Sequence, residues 1–340
     1  MSLGKRTVGV LDLIFAAITP ASGAVVMGTG IVAIGLSLDH RQTLSRILLA
    51  IAALAWITLG ALLAGRLARG LERVRREARS PAALTGVAAT AVLGTGLVQL
   101  GWSLAAIVLL AIAFALWLAL LRPVLAHWVT PTVGVSLMLT VSSESLAVLS
   151  AALAAAGRAD WLCYAALAPF VLGLALYGFV ISRFDVRQLL VGRGDHWITG
   201  GALAISTLAA GRITLAAHRL HELSALTGTL KAVSTTLWAL TIAWLPVLLV
   251  TESVRLRPAY DVRRWATVFP VGMCSVCSID VGVAAHVPAI TDFGRIWIWP
   301  GVAIWLVVFA AMLHHGMELA RSEHAPVTVG DSRSRRATPK

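Results

Sequence analysis

Apolar runs of about 20 residues recur from one end of the chain to the other, near 20–38, 46–64, 81–101, 103–121, 131–151, 161–181, 197–217, 231–251, 266–286 and 296–316. Each is long enough to cross a ~30 Å hydrocarbon core as a helix. None shows the period-two alternation of a membrane-spanning strand. The connections are short, so consecutive runs pair as antiparallel hairpins. The pattern predicts an all-α integral membrane protein of ten transmembrane helices arranged as five hairpins.

The odd and even runs differ in their small and polar residues. Ser, Thr and Gly number 34 in the odd runs and 12 in the even runs, over nearly equal lengths. Lipid-facing helices need only be apolar, whereas helices around a path need close backbone approach and some hydroxyls. The odd helices are therefore expected to form an inner pore ring and the even helices an outer ring. Hydroxyls on the inner helices can replace part of an ion's hydration shell. The decapeptide VMGTGIVAIG (26–35) returns 66 residues later as VLGTGLVQLG (92–101), which marks the first and third runs as equivalent elements of a hairpin repeat. Gly28, Thr29, Gly30, Gly94, Thr95 and Gly96 are its candidates for lining or shaping the path; for any one glycine, plain helix packing is the stronger reading. Pro20, Pro81 and Pro131 fall at expected helix starts, where proline is tolerated. Pro270 falls inside the ninth run and should interrupt its hydrogen-bond ladder.

Composition agrees with a membrane protein: 58% hydrophobic and 13% charged, about half the charge of a soluble domain. The net charge of +12 mostly encodes topology. One set of flanks carries 21 Lys and Arg, the other 6, which predicts a plasma (inner) membrane protein with both termini cytoplasmic. Scattered arginines without interleaved aromatics argue against nucleic acid. Trp102, Trp128, Trp161, Trp197, Trp265, Trp297 and Trp299 lie near run ends, where an amphipathic ring favours the interface. The expected organisation is an amphipathic lead-in (1–19), a ten-helix domain (20–317) and a basic, disordered cytoplasmic tail (318–340) bearing Ser332, Ser334 and Thr338.

Three ionisable residues fall deep inside odd runs: Glu144, Arg212 and Asp280. At ~1.5 Å rise per residue they lie at similar depth, roughly 20 Å in, with Gln99 slightly deeper. A lone charge there costs roughly 2.5–3.5 kcal/mol even on the lenient scale, so mutual pairing is expected, with Arg212 flanked by both acids. The layer reads either as an anion-attracting centre, as a proton carrier on one acid, or as a structural salt bridge. Cys274 and Cys277 would share a helix face, but a reactive thiolate is disfavoured in apolar surroundings; with Cys163 they read as packed small residues. His218 and His221 read as a solvated loop sooner than a metal site, and His314-His315 as interfacial. No enzyme, cofactor or metal is expected.

Three stretches carry a family resemblance. Pro20-Ala-Ser-Gly-Ala-Val-Val-Met-Gly-Thr-Gly-Ile-Val32, Trp265-Ala-Thr-Val-Phe269-Pro270-Val-Gly-Met273 and Ser142-Ser-Glu144-Ser-Leu-Ala-Val-Leu149 resemble signatures of the tellurite-resistance/dicarboxylate transporter family, which includes the plant guard-cell slow anion channels and the fungal malate and sulfite transporters. The resemblance implies ten helices in five hairpins, a homotrimer with one pore per protomer, and a phenylalanine that plugs the pore, here Phe269 just before Pro270. It implies an anion channel or transporter for a small anion. The alternative is a proton-coupled carrier for small dicarboxylates or sulfite- and tellurite-like oxyanions. The charge layer departs from the family's anion channels, whose pores are nearly free of charge, and keeps proton coupling open.

Overall fold

In a computed structural model the structure describes residues 19–191, 194–221, 223, 225–254 and 260–324. The lead-in up to residue 18, the tail from 325 with Ser332, Ser334 and Thr338, and the flank arginines Arg193, Arg255 and Arg257 lie outside these residues.

The described residues contain ten helices long and apolar enough to cross a membrane. They are α1 (Gly23–Leu38), α2 (Gln42–Arg69), α3 (Thr85–Gln99), α4 (Ser103–Ala126), α5 (Met138–Ala155), α6 (Trp161–Ile181), α7 (Asp195–Leu220), α8 (Thr227–Val254), α9 (Trp265–Ala285) and α10 (Pro288–His324). A short helix, Leu71–Glu77, follows α2. No strand is present among the described residues, apart from an isolated bridge between Thr132 and Phe184. α10 continues to His324, past the expected end of the tenth run at 316 and of the ten-helix domain at 317.

Four of the five odd helices open with a 3-10 turn: Pro20–Ser22, Pro81–Leu84, Gly134–Leu137 and Val262–Arg264. Local polar groups satisfy the first free N–H groups, as helix starts require. Ser80 Oγ accepts from the Ala82 N–H at 3.3 Å, and Asp261 Oδ1 accepts from the Arg263 N–H at 2.9 Å. Pro20 and Pro81 stand at the first position of their turns. Pro131 does not. It precedes the turn at Gly134, and the next residue, Thr132, pairs with the end of α6 through its N–H to Arg183 O at 2.9 Å. Pro270 lies inside α9 without ending it. It removes one N–H, which leaves the Ala266 carbonyl without its i+4 donor.

Burial divides the helices sharply. At least 67% of the core window of every odd helix is buried, against at most 22% for any even helix. The packing follows a circuit: α1 against α3, α3 against α5, α5 against α7, α7 against α9, and α9 back against α1. Each even helix packs on its hairpin partner and on the next odd helix along.

A second regularity ties the layers together. Trp56 of α2 donates its indole N–H to Thr90 of α3 at 2.9 Å. Trp117 of α4 donates to Ser143 of α5 at 3.2 Å, Trp238 of α8 to Ser278 of α9 at 2.9 Å, and Trp305 of α10 to Thr29 of α1 at 3.0 Å. In the remaining case Tyr177 of α6 donates its hydroxyl to the Thr199 carbonyl of α7 at 3.5 Å. Every even helix is thus pinned to the odd helix that follows it by one aromatic donor. A buried indole N–H needs such a partner.

Candidate functional site

The initial segments of all five inner helices border one cavity of about 410 Å³. Ala24 of α1, Thr85 of α3, Met138 of α5, Ile198 of α7 and Phe269 of α9 each contribute to its wall. The inner helices therefore present their N-terminal ends to the same mouth. Each carries a partial positive charge at that end.

The wall is mostly apolar, and its polar side chains are already engaged. Thr85 donates to the Pro20 carbonyl at 2.7 Å, Gln188 to Asp185 at 3.2 Å, and Arg263 is ion-paired with Asp261 at 2.7 Å. Besides the paired Arg263, the cavity is faced by the backbone dipoles of the helix starts. Phe269 and Pro270 both border it, and Phe269 is 5% exposed. α7 reaches Pro270 closely because residue 201 is glycine: a Cβ there would lie 2.7 Å from Pro270 Cγ.

Beside the mouth sits a cluster that the sequence reading did not find. Glu252, near the end of α8, accepts from Trp197 Nε1 at 2.9 Å, contacts His196 Nε2 at 3.2 Å and pairs with Arg264 Nη1 at 3.7 Å. It holds the starts of α7 and α9 together. Trp197 and Trp265 are accordingly buried rather than interfacial, at 2% and 0% exposure, and Trp265 donates to the Tyr260 hydroxyl at 3.3 Å. Burial pushes the Tyr260 phenol above its ordinary range, against the Trp265 hydrogen bond and with Asp261 adding to the rise. Trp102, Trp161 and Trp299 are exposed, as an interfacial position requires. An acid within flanks otherwise rich in arginine was the available signal for Glu252.

None of the six small residues of the repeated decapeptide borders the cavity. They set distances between helices. A Cβ at Gly28 would meet Trp265 of α9 at 2.9 Å, at Gly30 Val92 of α3 at 2.8 Å, at Gly94 Leu149 of α5 at 2.8 Å, and at Gly96 Leu49 of α2 at 2.5 Å. Thr29 accepts from Trp305, and Thr95 donates back to the Ala91 carbonyl at 2.9 Å. Other inner-helix hydroxyls behave alike: Ser145, Ser206 and Thr214 each bond the carbonyl four residues earlier. These hydroxyls, expected to replace part of an ion's hydration shell, are committed to helix carbonyls and outer indoles, whereas Thr140 Oγ1 of α5 is buried without a partner.

The expected charge layer separates into two sites. Arg212 Nε is bonded to Asp280 Oδ2, joining α7 to α9, while Arg212 Nη2 is buried without a partner. Glu144 is not part of this pair. Its side chain points instead towards α6, where a Cβ on Gly173 would lie 2.5 Å from Glu144 Oε1. Glu144 lies beside Ser206 of α7, six residues and ~9 Å of helix rise before Arg212, so it shares neither level nor face with the pair. Gln99 Nε2 is also buried without a partner.

The weaker candidates are placed as follows. Cys163, Cys274 and Cys277 are buried thiols outside any disulfide. Among the described residues no group of three His, Cys, Asp or Glu side chains could hold a metal. His221 caps α7, and the His218 ring lies 6.4 Å from that of His286 at the end of α9. His314 is exposed and faces Glu318 at 3.6 Å, and His315 lies against Tyr260.

A helical membrane protein with a cavity enclosed by five helix starts is a candidate for moving a small anion. Residues 17–313 match the voltage-dependent anion channel family, and the chain belongs to that family. It is also similar to an uncharacterized membrane protein of Mycobacterium tuberculosis strain CDC 1551 / Oshkosh. The two are 32% identical over 142 residues, covering 40% of this chain and 71% of the relative. The counterpart from strain ATCC 25618 / H37Rv matches to the same extent.

Proposed function

We propose that the protein conducts small anions along the axis enclosed by its five inner helices, with Phe269 closing the path. The observation that carries this reading is the cavity at the shared N-terminal mouth, bordered by all five inner helices and by Phe269 and Pro270. Aligned helix starts attract an anion without binding it tightly, as conduction requires. A mostly apolar wall with no free cation favours a broad choice of small anions over one tightly coordinated substrate. Pro270 frees a carbonyl one turn back and gives α9 a place to flex, so that the Phe269 ring can swing aside.

The mouth faces the cytoplasm in this reading, because the basic flanks cluster at the same end of the helices. Both termini then lie in the cytoplasm of a plasma-membrane protein. A homotrimer, with one path per protomer, is supported by the family resemblance.

The test is anion flux from proteoliposomes, wild type against Phe269→Ala, with and without a pH gradient. The alanine variant is expected to pass chloride or nitrate at least about tenfold faster, since removing a plug worth one decade needs only ~1.4 kcal/mol. Equal rates for the two proteins overturn the plug. Flux of dicarboxylates driven only by the gradient replaces the channel with a proton-coupled carrier.

A further inference from the structure

Glu144 is the one fully buried carboxylate of the inner helices that has no partner among the described residues. It is 0% exposed, and neither Oε1 nor Oε2 accepts a hydrogen bond. Asp280, the other deep acid, is satisfied by Arg212. The Glu144 carboxyl is seated between α5, α6 and α7. Gly173 of α6 makes room for it, since a Cβ there would crowd Oε1, Cδ and Cγ at 2.5, 2.6 and 2.7 Å. Ser206 of α7 lies beside it, but its hydroxyl donates to the Ala202 carbonyl at 3.1 Å.

No charge on the surrounding helices balances it. α6 offers Cys163, Tyr164 and Tyr177, with the Tyr177 hydroxyl bonded to the Thr199 carbonyl. On α7, Arg212 is held by Asp280 and His196 by Glu252, while His218 and Arg219 lie exposed at the far end. α4 offers only Arg122, which is exposed, and α3 has no ionisable residue. An ionised carboxylate with no counter-charge, and at most the Ser206 hydroxyl that the Ala202 carbonyl already takes, is not sustained in such a setting; the group neutralises instead.

We propose that Glu144 is a proton-binding site, occupied while α5 is packed against α6 and α7, and emptied when those helices part far enough to admit water. The step is acid–base alone. The O–H bond breaks, the electron pair stays on the carboxylate and the proton passes to water. Its linkage has a fixed sign. The packed state holds one more proton than the open state, so raising the pH favours the open state. The link from this proton to flux rests on the anion-transport reading; the proton site does not.

The experiment combines infrared spectroscopy with flux, using the full chain in lipid bilayers. Wild type should show the C=O stretch of a protonated carboxyl that is missing in Glu144→Gln and fades as pH rises. Wild-type anion flux should climb over the same pH interval, by at most about tenfold per pH unit for one linked proton. Glu144→Gln, a permanent mimic of the neutral acid, should give low flux that does not respond to pH. Glu144→Asp should restore both the band and the pH response.

A spectrum with no band lost on Glu144→Gln, or with a band that never titrates, overturns the site. Normal anion flux that ignores pH overturns the coupling. If neither protein passes anions, the transport reading fails, while the infrared band still decides the proton site.

Discussion

The two ends of the inner-helix bundle solve opposite problems. At the N-terminal mouth the helices stand apart around about 410 Å³ of space, and every polar side chain in the wall has a local partner. In the other half the same helices are closely packed and carry the ion pair of Arg212 and Asp280, with Glu144 buried near mid-helix between the two ends. At the mouth the charged groups are paired around the rim, whereas in the far half an ion pair is buried between two inner helices. If anions follow this axis as proposed, they meet the helix starts first, Phe269 second and the Arg212–Asp280 pair last.

The largest test of this contrast breaks the ion pair of the packed half. Asp280→Asn leaves Arg212 buried with no counter-charge. Losing one partner of a buried pair destabilises by about 3–5 kcal/mol. Thermal unfolding of the purified protein should show this loss. The double variant Arg212→Gln with Asp280→Asn removes both charges and should recover most of the stability. Flux then separates function from packing. If Arg212 draws anions through the far half, the stable double variant should conduct several-fold less than wild type. Unchanged conduction and selectivity would make the pair purely structural.

How much of this was legible beforehand follows from what one dimension can encode. Span number and the alternation of small residues are properties of local sequence, and the ten helices appear with ends shifted by a few residues. Depth by residue count needs a correct helix start: counting put Glu144, Arg212 and Asp280 at one level, but the fifth span begins only with the turn at Gly134, and Glu144 lies beside Ser206, short of Arg212. Azimuth around the helix depends on which neighbour each face meets, and that is set by the tertiary circuit; hence Glu144 turned to α6 while Asp280 turned to Arg212. The repeated decapeptide was readable as a repeat but not as packing, because a glycine that lines a path and one that admits a neighbour look the same in sequence. Tryptophan was read only at run ends. Trp56, Trp117, Trp238 and Trp305 lie well inside apolar runs, where each indole N–H demands an acceptor. That demand was a usable signal for the indole clamps.

A middle-sized effect should distinguish glycines that admit a neighbour from those that do not. Gly201→Ala places a methyl 2.7 Å from Pro270 Cγ and 3.6 Å from its Cα. Backbone near the contact cannot swing aside, so overpacking of about 1–3 kcal/mol is expected. Gly86→Ala on α3 meets nothing within 4 Å. It should be neutral or stabilising by up to ~1 kcal/mol through helix propensity. Paired melting curves check both. Because Gly201 fixes the approach of α7 to the Phe269–Pro270 segment, its variant should also raise basal anion leak, and Gly86→Ala should not.

The smallest effect belongs to the indole clamps. Trp305→Phe removes the donor to Thr29 while keeping an aromatic ring against α1; a typical net hydrogen bond contributes about 0.5–1.5 kcal/mol. The Thr29 hydroxyl is fully buried. Without the indole it is expected to turn its own proton to a carbonyl one turn back on α1, as Thr95 does at the equivalent position of the repeat. The loss should therefore sit near the lower end of that range. A double-mutant cycle of Trp305→Phe with Thr29→Val measures the coupling directly. A coupling near zero would mean that α10 is held to α1 by apolar packing alone. A coupling of about 1 kcal/mol would make the aromatic donor a working link, and Trp56–Thr90 should then give a matching value because it joins α2 to α3 in the same way. Unequal couplings at the two sites would show that the clamps share a form but not a strength.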